Sequence, residues 1–138
     1  MKPPYIVENV DMARVFISFA MEDRVLRDFL VGQKKNSKNF IDFTDYSVKE
    51  PWSSQWKTNC RARIKGCAGM IGIITKNTPG ADGQLWELKC AIDEGVPLFL
   101  IHGHGEAAKR LTTLPAPISG RRIYNWTEAN IVSFLDRL

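Results

Sequence analysis

The chain has 138 residues, 44% of them hydrophobic and 25% charged, with a net charge of +4. That is the size and make-up of a single globular domain that buries its own core, which excludes a disordered chain and a small disulfide-stapled scaffold. The positive excess is scattered over Arg61, Arg63 and Lys65, over Lys34, Lys35 and Lys38, and over Arg121 and Arg122; no aromatic residue interleaves with these groups in sequence, so nucleic acid is not the expected partner, and a small anionic ligand suits the charge equally well.

Residues 1–12 form a short N-terminal extension in which Pro3 and Pro4 disfavour helix. The extension lacks the apolar stretch of a signal peptide. Residues 13–138 make one domain. "RVFISF", from Arg14, is a continuous apolar strand signal. "EDRVLRDFLVG" follows as a helix, with Val25, Leu26, Phe29 and Leu30 at helical spacing and Gly32 as its stop. "NFIDFTDYS" is a second strand running into a loop. "SSQWKTNCRARIKG" sets Trp56, Cys60 and Ile64 on one helical face, with Gly66 as the C-terminal cap. "GMIGIIT" is a third strand. "GQLWELKCAIDEG" is a helix expected to turn Leu85, Leu88 and Ile92 inward and to end at Gly95. "VPLFLIH" is a fourth strand, and its apolar run is far too short to span a bilayer. Residues 103–119 are punctuated by Gly and Pro and hold at most a short helix. "RRIYNW" is a fifth strand, and "TEANIVSFLDRL" is a last helix capped by Thr127.

Short apolar strands alternating with helices predict an α/β, flavodoxin-like doubly wound sheet of five parallel strands with helices on both faces. Such sheets bind ligands at the carboxyl ends of their strands. Ser18, Phe19 and Ala20 fall there after the first strand, and Thr44, Asp45, Tyr46 and Ser47 after the second. Thr75, Lys76 and Asn77 follow the third, and His102 and His104 the fourth. Glu87 is placed in the opening turn of the next helix, over the same edge; a glutamate there is also favoured by the helix dipole alone. The acidic cluster of a phospho-acceptor domain is missing after the first strand. So are the glycine-rich turn of a phosphate-binding loop and a GxSxG nucleophile elbow. His102 and His104 have no accompanying carboxylate or thiolate pattern, so no metal is expected. Cys60, Cys67 and Cys90 show no CxxC spacing and read as buried thiols of a reducing compartment. A cytoplasmic protein without a membrane partner is the expectation.

"RVFISFAMED", "FTDYSVKEPW", "MIGIITKNT" and "LWELKCAIDEGVPLFLIHGHG", in this order and followed by "RRIYNW" and a terminal helix, resemble the TIR domain family. The resemblance is closest to the TIR-like proteins of bacterial Thoeris antiphage systems and covers about residues 13–138. It implies an enzyme that cleaves NAD+ at the nicotinamide–ribose bond, as a glycohydrolase or ADP-ribosyl cyclase. Its ADP-ribose-derived product, cyclic or conjugated, would activate a separate effector protein. NAD+ would be substrate rather than cofactor. Self-association and a phage-derived trigger are the partners implied besides. By the same resemblance Glu87 is the catalytic residue. Many family members carry a tryptophan four residues before that glutamate; Gly83 stands there in this chain, and Trp86 directly precedes Glu87.

Leaving as neutral nicotinamide, a cationic pyridinium needs no strong acid, so one carboxylate that holds the ribose and faces the oxocarbenium-like centre suffices. Ser18, Phe19, Asp45, Ser47, Trp52, Trp86 and His102 are the expected substrate-binding residues, with hydroxyls and amides of the loops for the ribose and phosphates and the aromatic faces of Phe19, Trp52 and Trp86 for the rings. The alternative is a non-catalytic TIR-type module that works by homotypic assembly and has no chemical need for Glu87.

Overall fold

The computed structural model describes residues 12–33, 40–46 and 48–138. Four strands make one sheet: β1 (Met12–Ser18), β2 (Phe40–Thr44), β3 (Gly69–Ile74) and β4 (Leu98–His102). They lie in the order β2-β1-β3-β4, all parallel. Four helices connect or follow them: α1 (Arg24–Gly32), α2 (Ser54–Lys65), α3 (Asp82–Asp93) and α4 (Glu128–Asp136). The class is thus α/β with an all-parallel sheet, as the alternation predicts. Of the expected extension, residues 1–11 lie outside the described residues, and Met12 already belongs to β1.

Each strand sends alternate residues to opposite faces. Val15 and Ile17 of β1 join Leu30 of α1 with Ile131, Phe134 and Leu135 of α4 in one buried layer. Phe16 and Met70 join Trp56, Cys60 and Ile64 of α2 with Leu88 and Ala91 of α3 in the other. Both faces are therefore covered, and β3, inside the sheet, is buried at every residue. Cys60, Cys67 and Cys90 are buried and unpaired.

The expected fifth strand is reduced to a single bridge. Tyr124 pairs with Ile101, donating from its N–H to Leu100 O and accepting from the His102 N–H. Arg121 and Arg122 are exposed, Gly120 turns the chain at φ +79°, and Thr127 already accepts from Asn130 N–H to start α4. Between that turn and that cap Ile123, Tyr124 and Trp126 pack half-buried against the core, and only Tyr124 bridges to β4.

Two helix faces also differ from the expected ones. In α1, Leu30 is buried, but Val25 and Phe29 are each 65% exposed. In α3 the inward stripe is Gly83, Gln84, Glu87, Leu88, Cys90 and Ala91 rather than Leu85, Leu88 and Ile92. Two polar residues thus face the core, which decides the character of the site.

Candidate functional site

The chain passes from β1 to β2 on one side and comes back to β3 on the other, so the crevice outside the carboxyl ends of β1 and β3 is the switch point of the sheet. α3 enters this crevice. Gln84 ties it to both strands, donating from Nε2 to Ser18 O at 3.1 Å and to Ile73 O at 2.7 Å.

One turn further along, Glu87 is fully buried. It stands in the second turn of α3, which begins at Asp82, and not in the opening turn where the sequence places it. Its carboxylate accepts from Ser18 Oγ at 2.9 Å. Lys49 Nζ donates to Oε1 at 2.9 Å and to Oε2 at 2.8 Å. The lysine side chain is only 4% exposed. Burial pushes the Glu87 carboxyl up to about 7, against the opposing pull of the Lys49 charge and hydrogen bonds and of Ser18. The Asp45 charge adds a smaller push in the same direction.

Lys49 is the residue that sequence reasoning missed. It comes from the loop between β2 and α2, where a lysine reads as solvated. Its stem crosses the first turn of α3 over Gly83, where a Cβ would come within 2.6 Å of Lys49 Cβ and 2.7 Å of its Cδ. The ammonium then lies 4.5 Å from the centre of the Phe19 ring. A glycine immediately after the helix start, opposite a polar loop, is the one sequence signal that could have pointed to this close approach.

The expected site residues divide into those near Glu87 and those elsewhere. Ser18 bonds it directly. Phe19 is fully buried beneath Lys49. Asp45 accepts from Arg27 Nη1 at 3.1 and 2.9 Å and is thereby held by α1, while Arg27 in turn lies 5.2 Å from Phe19. Trp52 is 77% exposed and walls a cavity of about 250 Å³ together with Met21, Lys49, Pro51 and the start of α3 through Gln84. Ser47 lies outside the described residues. Trp86 meets the Trp56 ring edge-on at 5.3 Å and the Arg61 guanidinium at 5.3 Å, and it shares a neighbouring cavity with Trp52, Pro51 and Asp82. The fold thus brings an aromatic ring beside one of the basic groups that are free of aromatics in sequence. His102 closes β4; burial lowers its pKa, with the Arg110 charge acting in the same sense, and its buried Nδ1 has no partner.

A second polar cluster braces the crevice. Asp23 accepts from Thr75 Oγ1 at 2.5 Å and from Asn77 Nδ2 at 2.9 Å, fastening the turn before α1 to the end of β3. Among the described residues no three His, Cys, Asp or Glu side chains gather as a metal site, and no helix is long and apolar enough to cross a membrane.

The arrangement offers a fully buried carboxylate at the switch point of the sheet, its carboxyl pushed up to about 7, with a cation already seated on it. Compared with models of known protein families and with curated proteins, the chain matches none.

Proposed function

We propose that the chain is an NAD+ glycohydrolase or ADP-ribosyl cyclase with Glu87 as its catalytic residue. The observation that carries this reading is the buried Glu87 carboxylate at the switch point, held by Ser18 Oγ and by an ammonium group. A carboxylate that holds Lys49 is chemically suited to face a cationic ribosyl centre in its place.

In the reaction the bond from ribose C1′ to the pyridinium nitrogen breaks. Its electron pair neutralises the nitrogen, and nicotinamide leaves. The positive charge moves to C1′ and the ring oxygen, opposite the Glu87 carboxylate. Water then adds to give ADP-ribose and a proton, or an internal nucleophile closes the ring. Ser18 orients the carboxylate. Trp52 supplies an aromatic face, and Lys49 moves away to admit the ribose. The product serves as a signal to a separate effector, and self-association completes the active form.

One observation favours the rival. Complete burial of Glu87 under Lys49 is also what a purely structural ion pair in an interaction module would show. Incubation with NAD+, with chromatography and mass spectrometry of the products, separates the two. The enzyme reading expects nicotinamide and an ADP-ribose derivative. The module reading expects unchanged NAD+ at every protein concentration.

A further inference from the structure

The side-chain amide of Gln84 is fully buried and its orientation is fixed. Nε2 donates to the carbonyls of Ser18 and Ile73. Turning the amide over would set its oxygen against those two carbonyl oxygens, so Nε2 and Oε1 cannot exchange places. Oε1 is therefore an obligatory acceptor, and it is buried with no partner. Native proteins rarely leave such an atom unpaired, and a ligand group that pairs it is one of the explanations for an exception. Gln84 also borders the cavity of about 250 Å³ that Trp52 and Lys49 wall, and Oε1 itself is sealed from solvent while Lys49 is seated. Neither the carboxylate chemistry nor the Lys49 contact uses Oε1.

We propose that Gln84 Oε1 reads the carboxamide of the substrate, accepting a hydrogen bond from its N–H. This rests on the NAD+ reading and deepens it by assigning the group that selects the pyridine. Gln84 and Glu87 stand three residues apart on one helix face, about 5–6 Å between Cβ atoms. That is the scale separating the ribose hydroxyls from the carboxamide within one nicotinamide riboside. Glu87 then takes the ribose and Gln84 the carboxamide, while the exposed Trp52 ring lies at the rim where a pyridine face can stack. Specificity follows from the fixed amide. An acetyl group in place of the carboxamide has no N–H and leaves Oε1 unpaired, and a carboxylate sets its lone pairs against it.

The test compares NAD+ with its 3-acetylpyridine and nicotinic acid analogues on the full chain. The readout is kcat/KM, each divided by the compound's spontaneous hydrolysis rate; if the analogues bind without turnover, the dissociation constants are compared instead. The expected result is a loss of about 10- to 100-fold for the acetyl analogue, as for a buried acceptor left unpaired, and at least as much for the acid. Gln84→Met should bring NAD+ and the acetyl analogue within about threefold of each other. If that variant fails to fold, having lost its two strand contacts, the ligand series on the unaltered chain decides alone. Equal values for NAD+ and the acetyl analogue overturn the Gln84 assignment and leave the NAD+ reading standing. Neither binding nor cleavage of NAD+ overturns both.

Discussion

A carboxylate and an ammonium group removed together from water cost several kcal/mol per ion before their attraction is counted. Glu87 and Lys49 carry that burden at the end of β1, with Ser18 Oγ as the further hydrogen bond to the carboxylate. Two stability predictions follow from the burial. Lys49→Met leaves the carboxylate buried without its cation. Urea unfolding should show a loss of about 3–5 kcal/mol near pH 8 and a smaller loss near pH 5, where Glu87 takes up a proton. The second concerns the intact pair. Folding raises the Glu87 carboxyl from 4.5 to about 7, so between those values the native state binds more protons than the unfolded one. The contribution of Glu87 to stability is therefore fully present below about 4.5 and is lost as pH rises through about 7. Unfolding of the unaltered chain and of Glu87→Gln, measured at both ends of this window, should differ by that slope; parallel pH curves would refute it. The burial of Glu87 is not legible in the sequence, because burial of a charge depends on what the fold lays over it. Lys49 comes from a loop, and its contact with Glu87 is long-range.

The inward face of α3 shows where periodicity fails. Counting apolar residues selects Leu85, Leu88 and Ile92, but the stripe that packs on the sheet includes Gln84 and Glu87. Polar residues on a buried face contribute nothing to an apolar pattern, so the helix reads as rotated. α1 errs in the opposite sense: its apolar spacing is regular, yet Val25 and Phe29 remain exposed. α2 was legible because Trp56, Cys60 and Ile64 are both periodic and buried, and Ser53 caps the helix by accepting from Trp56 N–H. Gly83 tests how α3 and the β2–α2 loop fit together. A methyl group there would meet the root of the Lys49 side chain at 2.6 Å, too close for a rotamer change at its tip to relieve. Gly83→Ala should cost about 1–3 kcal/mol, as overpacking does, and should speed hydrogen exchange at Val48 and Lys49 as the lysine is displaced. Unchanged exchange would mean that Lys49 is not seated over Gly83.

The order of strands and helices was legible along nearly the whole described chain, because parallel strands buried on both faces read as short apolar runs between helices. The fifth strand was not, since "RRIYNW" has strand-like composition but is cut short by the turn at Gly120 and the cap at Thr127. Of the expected site, Ser18 and Phe19 follow β1 at the crevice, Asp45 follows β2 and is held by Arg27, and Trp52 walls one cavity with Lys49 and another with Trp86. Adjacent residues on a helix point about 100° apart, so Glu87 is turned inward while Trp86 stays half-buried beside Trp56 and Trp52. For the protein acting as an assembly, nicotinamide release should rise faster than linearly with protein concentration, checked beside sedimentation of the same samples; strictly linear release from a monomer would exclude a shared site. The kcat/KM for NAD+ should climb as pH rises through about 7, where the buried carboxyl ionises. The most direct measurement is nicotinamide release from NAD+ by the unaltered chain and by Glu87→Gln, both held at a temperature where circular dichroism shows them folded. The carboxylate account predicts at least a ~100-fold loss in turnover, the scale of one preorganised electrostatic contact. Equal rates in the two proteins, or no release from the unaltered chain under any condition of concentration and pH, would contradict it.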